Sequence, residues 1–163
     1  MIKNQIEPSP QTKPVAIALL VMRLAAGLVL LVSGFSKITQ PAQETVAALE
    51  VYKILPQPVL LPFAMTLPWI EYLLGGWLIA GLKVRRCAAL ASILFSIFLT
   101  VLLTSMVRGL DIKDCGCFGG LGLHLAPWQT MLMDTVLLLS SLTLFNQGSR
   151  VLSLDNWVAK KVP

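Results

Sequence analysis

Charged residues are scarce in this 163-residue chain, at 13% of the total, whereas soluble domains contain about a quarter. Cysteine and histidine are also scarce, with three and one respectively. Apolar residues make up 56% of the chain, and the mean hydropathy is +0.77. This composition excludes an ordinary water-soluble domain, a disordered chain and a disulfide-rich secreted domain.

The apolar residues are gathered into four long blocks, each with one charge or none. Each block is close to the roughly 20 residues that a helix needs to cross about 30 Å of hydrocarbon. The strands of a β-barrel would instead alternate every second residue, so a barrel is excluded. The sequence therefore predicts an all-α fold, a four-helix transmembrane bundle. Its predicted spans are 15–35, 59–82, 87–107 and 128–145.

Three parts of the chain follow from these spans. We expect a leader over 1–14, a four-span membrane domain over 15–146 and a tail over 147–163. The first block exceeds the usual 7–15 apolar residues of a signal peptide, so we interpret it as a retained helix. Pro14 is suited to the start of that helix.

The loop between the first two spans carries a second pattern. Over 42–54, apolar residues alternate with charges at near-helical spacing. This pattern predicts a short interfacial helix that Pro56 and Pro58 end.

Basic residues are divided unequally between the two sides of the predicted bundle. The tails and the middle loop carry eight basic and two acidic residues, whereas the two other loops carry four of each. The positive-inside rule then predicts that both termini are cytoplasmic, in the cell inner membrane. The net charge of +5 is therefore an orientation signal and does not indicate nucleic-acid binding.

Two cysteines lie one residue apart in the last loop, within the sequence DCGCFGG at 114–120. Cys115 and Cys117 can close a small strained ring, for which Gly116 supplies the backbone freedom. Strained, exposed disulfides are the labile or catalytic kind, and the outer side of the membrane is oxidising. The pattern favours a redox pair. Metal binding and inert packing are the alternatives, although His124 is the only histidine that a metal site could use.

The residues around this pair have simpler expected roles. Phe118 and Gly119 are expected to set the loop against the bundle and leave one sulfur open to a partner. Cys87 lies at the opposite end of its span, about a membrane thickness away, and is expected to be a small buried residue.

Three charges lie inside the predicted spans, where an unpaired charge costs at least roughly 2.5–3.5 kcal/mol. Arg23 and Glu71 lie at similar estimated depths, so we predict that they form a pair. This pair either fixes the helix register or serves the function. Asp134 lies nearer the outer face. Small residues, including Gly27, Gly75 and Gly76, are expected to let helices approach closely.

Five motifs follow one another between about Val15 and Leu144. They are Arg23-x3-Gly27, Ser33-Gly34-x2-Lys37, Tyr52-x3-Pro56, Pro68-x2-Glu71-x3-Gly75 and Cys115-Gly116-Cys117-Phe118-Gly119. In this order and spacing they resemble the MauE/DoxX-like family of redox-associated membrane proteins. The last motif, placed between the third and fourth spans, is the specific one.

The resemblance implies a four-helix membrane bundle concerned with periplasmic thiol-disulfide chemistry. It implies Cys115 and Cys117 as the redox pair, and Arg23, Lys37 and Glu71 as signature polar residues. It also implies a thioredoxin-like partner and a role in maturing a periplasmic dehydrogenase, as in methylamine utilisation. The chain departs from the family in one place: members often have arginine before the residue at Asp134, and methionine stands there instead.

The favoured hypothesis is a membrane thiol-disulfide redox protein. It would pass electrons or disulfides through the outward-facing cysteine pair to a thioredoxin-like periplasmic partner or a disulfide-containing client. Lys37 and Lys113, if they lie near the pair, would favour the thiolate leaving group. One alternative is a non-catalytic membrane anchor or chaperone subunit of a maturation complex. Another is a small subunit of a quinone-linked oxidoreductase, with quinone as the cofactor, although the sequence contains no quinone motif.

Overall fold

The computed structural model describes residues 13–109 and 126–147. Within these ranges the chain forms five helices: α1 (Lys13–Ile38), α2 (Ala42–Val51), α3 (Gln57–Ala80), α4 (Val84–Val107) and α5 (Pro127–Gln147). All of them except α2 are long and apolar enough to cross a membrane. The predicted all-α, four-span bundle is therefore confirmed.

The outer surface of the bundle is apolar. Val21, Ile70, Ile93 and Leu139, one on each long helix, are all more than half exposed. A soluble monomer rarely exposes large contiguous apolar patches, whereas lipid tails solvate such a surface. The exposed faces are therefore those that contact the bilayer.

Glycine residues bring α1 and α3 into backbone contact. A Cβ atom on Gly34 would lie 2.5 Å from the backbone nitrogen of Tyr72, and one on Gly75 would lie 2.5 Å from that of Leu31. No other residue permits this approach without separating the helices. The expected packing role of Gly75 is confirmed. That of Gly76 is wrong, because a Cβ atom there would meet no neighbouring atom within 4 Å.

The interfacial helix α2 is present but shorter than predicted. It ends at Val51, and Lys53 adopts a left-handed backbone with φ of 49° that an α-helix cannot continue through. Pro56 and Pro58 do not end this helix. They lie instead at the N-cap and in the first turn of α3, where proline needs no amide partner.

A tight turn connects α3 to α4 at the other end of the bundle. Gly81 ends α3 with φ of 72°, a conformation that glycine adopts without strain. Just after this turn, Cys87 is buried in the core beside Leu78 and Phe95. Its thiol donates to the carbonyl oxygen of Leu82 at 3.2 Å. The expectation that Cys87 is a small buried residue is confirmed.

Candidate functional site

A buried cluster of three polar side chains joins α1 to α3. Lys37 Nζ lies 2.9 Å from both carboxylate oxygens of Glu71 and 3.1 Å from Ser33 Oγ. The Ser33 hydroxyl in turn donates to Glu71 Oε2 at 3.0 Å. The Glu71 side chain is fully buried, and that of Lys37 is only 10% exposed. The cluster is thus a buried ion pair with a hydroxyl bridge.

The sequence positions these groups through helix periodicity. Ser33 and Lys37 are four residues apart on α1 and so share one face of it. Between them, Gly34 lets α3 approach closely enough for Glu71 to reach both side chains. Lys37 also lies in the last turn of α1, where the helix dipole favours a cation. Lys37 is therefore a helix residue facing the bundle, rather than the loop residue that the predicted span boundary implied.

The ion pair uses the full bonding capacity of the lysine. An ammonium group has three N–H donors, and Lys37 has three acceptors: two carboxylate oxygens and one hydroxyl. The Lys37 ammonium also lies 5.6 Å from the centre of the Phe98 ring on α4, within the range of a cation–π interaction. Opposite charges within the pair cancel, which reduces the cost of burying either one.

The predicted pairing of Glu71 with Arg23 is wrong, because Lys37 occupies the Glu71 carboxylate. The close contacts place Glu71 level with residues 33–37 of α1. Arg23 lies ten residues before Ser33, which corresponds to about 15 Å along the helix. Arg23 is almost fully buried, at 1% exposure, but in the opposite half of the bundle.

A cavity of about 300 Å³ lies beside the ion pair. Its walls come from α2, α3, α4 and α5 and from Lys37 at the end of α1. Most of the surface is apolar, with side chains such as Phe63, Leu67 and Ile97. An apolar cavity of this size with a few polar groups is typical of a site for a small ligand.

Asp134 provides one of the polar groups of the cavity wall. It lies on α5, is only 3% exposed and interacts electrostatically with Lys37 and Glu71. Within residues 13–109 and 126–147, its carboxyl group makes no hydrogen bond. From the sequence, Asp134 has no adjacent arginine to balance its charge. In the structure the nearby Lys37 does not hydrogen-bond to it either, because that ammonium group already bonds to Glu71 and Ser33.

The predicted cysteine site lies outside the described residues. Cys115, Gly116, Cys117, Phe118 and Gly119 all fall within 110–125, as do Lys113 and His124. This segment connects the end of α4 to the start of α5. The residues of α4 and α5 that line the cavity lie in the second half of α4 and the first half of α5, which are the halves that this segment connects. Among the described residues, no group of three His, Cys, Asp or Glu side chains is placed to hold a metal ion.

Sequence reasoning assigned no role to three residues of this region. Ser33 bridges the ion pair, Phe98 lies beside the ammonium group, and Thr45 lines the cavity. The four-residue spacing of Ser33 and Lys37 is a signal that could have identified Ser33, because it places both side chains on one face of α1. Phe98 and Thr45 carry no such signal, because their positions depend on how four helices pack.

Comparison with known proteins gives one positive result. A family model described as methylamine utilisation protein MauE matches residues 15–146. No curated protein and no solved structure matches the chain.

Proposed function

The chain belongs to the MauE family of methylamine utilisation proteins, and from this premise we propose that it is a thiol-disulfide redox protein of the cell inner membrane. Cys115 and Cys117 are the reacting residues. The chain is a multi-pass membrane protein, so the reaction takes place beside the bilayer. The partner is a thioredoxin-like periplasmic protein or a disulfide-containing client of a maturing dehydrogenase.

The observation that carries this proposal is the location of the cysteine segment. Residues 110–125 join α4 to α5 at the end of the bundle that holds the ion pair and the cavity. The two helices that flank the segment, α4 and α5, pack against each other in the bundle. Two thiols separated by one glycine can form a small, strained disulfide of the labile kind, which is the chemistry that the proposal requires.

The proposed exchange balances without a cofactor. A thiolate of the reduced client attacks one sulfur of the Cys115–Cys117 disulfide, and the other sulfur leaves as a thiolate. The second client thiolate attacks the client sulfur of this mixed disulfide, which releases the oxidised client. Two electrons pass from the client to the membrane protein, and the two client protons pass to the new thiols through solvent. The reverse sequence reduces a client disulfide.

The balance of basic residues supports the proposed side of the membrane. The tails and the α3–α4 turn carry twice as many basic residues as the other side, which favours cytoplasmic termini. The cysteine segment is then periplasmic, where thiols are routinely oxidised.

Single cysteine variants test the proposal by trapping. In Cys117→Ser, the remaining Cys115 thiol attacks a partner disulfide, but no second thiol resolves the product. We expect a mixed disulfide that survives acid quenching, alkylation and non-reducing electrophoresis and disappears on reduction. Cys115→Ser should trap the same partner if either sulfur can attack first. Cys87→Ser is the matched control, because that thiol is buried at the opposite end of the bundle.

The double Cys115→Ser, Cys117→Ser variant distinguishes redox chemistry from a membrane-anchoring role. The redox proposal expects loss of dehydrogenase maturation while the protein still accumulates in the membrane. Normal maturation in cells that carry this variant would overturn it and leave the anchor or chaperone role. Folding of the variant is checked by its elution from a size-exclusion column in detergent.

A further inference from the structure

We propose that the cavity binds a membrane-soluble aromatic compound of about two rings that carries a hydroxyl group, with Asp134 accepting its hydrogen bond. The cavity lies beside the ion pair, and ligand binding there does not depend on the cysteine chemistry. Two polar side chains of the cavity wall, the volume of the cavity and its aromatic lining indicate this class of ligand.

Two polar groups on different walls of the cavity make no hydrogen bond among the described residues. Asp134 on α5 and Thr45 on α2 are 3% and 7% exposed, and both line the cavity. A buried polar group without a partner costs about 1–3 kcal/mol, and more when it is charged. Native proteins rarely retain such groups without a function, a water molecule or a ligand to satisfy them.

The ion pair determines which polar group is available to a ligand. Lys37 also lines the cavity, but its three donors are directed to Glu71 and Ser33. It therefore stabilises the region electrostatically rather than donating to a ligand. Asp134 is left as an acceptor, so the ligand must provide a donor. The Thr45 hydroxyl can donate or accept and so tolerates a second oxygen on the ligand.

The apolar wall and the volume indicate the rest of the ligand. A cavity of 150 Å³ lined by apolar side chains holds one benzene ring, so about 300 Å³ suits roughly two rings. Phe63 and Phe98 lie in the wall, and contacts between aromatic rings add to the gain from burial. Three of the helices in the cavity wall, α3, α4 and α5, are long and apolar enough to cross the membrane, so we expect the ligand to be a compound that dissolves in the bilayer.

The probe for this site is 2-naphthol. The control compound is 2-methoxynaphthalene, which lacks the hydroxyl donor. Full-length protein in lipid nanodiscs is titrated with each, and binding is measured by naphthalene fluorescence after subtraction of empty nanodiscs. We expect saturable binding of 2-naphthol that is about tenfold tighter than binding of the methoxy compound, since one hydrogen bond to a charged group is lost.

Variants of the wall identify the groups responsible. Asp134→Leu should weaken the binding of 2-naphthol about tenfold and leave the binding of 2-methoxynaphthalene unchanged. Asp134→Asn keeps an acceptor oxygen, so its affinity for 2-naphthol should lie between that of the unaltered protein and that of Asp134→Leu. Ala48→Phe should abolish binding of both compounds, because Ala48 lines the cavity. Ala47→Phe is the matched control, since Ala47 is exposed on the neighbouring position of α2.

The outcomes separate the ligand site from the thiol chemistry. Equal binding of both compounds, or unchanged binding in Ala48→Phe, would overturn the proposal. If Asp134→Leu fails to fold, Asp134→Asn and Ala48→Phe still decide the result. The double cysteine variant should bind 2-naphthol with unchanged affinity, so failure of the redox proposal would leave this one standing.

Discussion

Lys37 and Glu71 lie 34 residues apart in the chain, yet the ammonium nitrogen is 2.9 Å from both oxygens of the carboxylate. The two residues belong to antiparallel helices that contact each other through glycine. Neither charge is stable alone at this depth, since both are largely removed from solvent. The pair therefore fixes the offset of α1 against α3.

The first prediction concerns the energetic coupling of this pair. Lys37→Met or Glu71→Gln alone should lower the free energy of unfolding by about 3–5 kcal/mol, because each leaves one buried charge without its partner. The double variant should recover more than half of the summed loss. Unfolding in mixed detergent micelles measures all three.

A second double variant provides the control for that coupling. Arg23 lies about 15 Å along the helix from the level of Glu71, so Arg23→Gln combined with Glu71→Gln should give additive losses. Rescue in this variant instead of the first would contradict the ion pair described above.

The second prediction concerns the glycine contact. Gly34→Ala or Gly75→Ala places a methyl group 2.5 Å from a backbone nitrogen and should destabilise the bundle by about 1–3 kcal/mol. Gly76→Ala on the same helix should be neutral or stabilise by up to about 1 kcal/mol, since it improves helix propensity in open space. Thermal unfolding of the three purified variants measures this difference, and equal losses would contradict the close contact.

The third prediction concerns orientation and uses exposed reporter positions. In a background without native cysteines, Glu50→Cys should react with a membrane-impermeant thiol reagent in intact cells. Arg86→Cys should react only after permeabilisation, because basic residues mark the cytoplasmic side. Both side chains are exposed in the structure. The opposite labelling pattern would reverse the topology and place the cysteine segment in the cytoplasm.

The fourth prediction concerns the redox potential of the cysteine pair. One intervening residue leaves a tight ring whose strain favours the dithiol and so raises the potential of Cys115 and Cys117. We expect a value above the roughly −300 mV typical of structural disulfides and nearer the −180 mV of disulfide isomerase. Titration in glutathione buffers, read by alkylation and mass spectrometry, measures it. A pair that stays reduced in oxidised glutathione, or a bridge that resists reduced glutathione throughout, would remove the exchange mechanism.

The four spans could be predicted because backbone polar groups in lipid must bond within their own segment, so a long apolar run has few alternatives to a helix. The end of α2 could not. Pro56 and Pro58 are strong boundary signals, but they mark the start of α3. The break itself occurs near Lys53, which adopts a positive φ without the glycine that usually marks such a position.

The ion pair was predicted with the wrong partner because depth was counted from the ends of the spans. That count assumes that α1 and α3 begin at matching planes. The actual offset is set by where Gly34 and Gly75 let the backbones meet, which is a property of the packed pair. The cavity beside Asp134 is even harder to predict from the sequence. Its walls come from four helices, and its volume is the space that these helices leave unfilled when they pack.

The separation of Lys37 from Glu71 along the chain has a consequence for biogenesis. The ribosome makes the lysine 34 residues before its carboxylate partner, a delay of roughly 2 to 7 s at ordinary rates of synthesis. During that interval we expect the ammonium group to remain at the interface, because entering hydrocarbon without its partner is costly and Lys37 lies in the last turn of its helix. We therefore expect α1 to settle at its final depth only when α3 is inserted beside it, so that the insertion of these two helices is coupled to their packing.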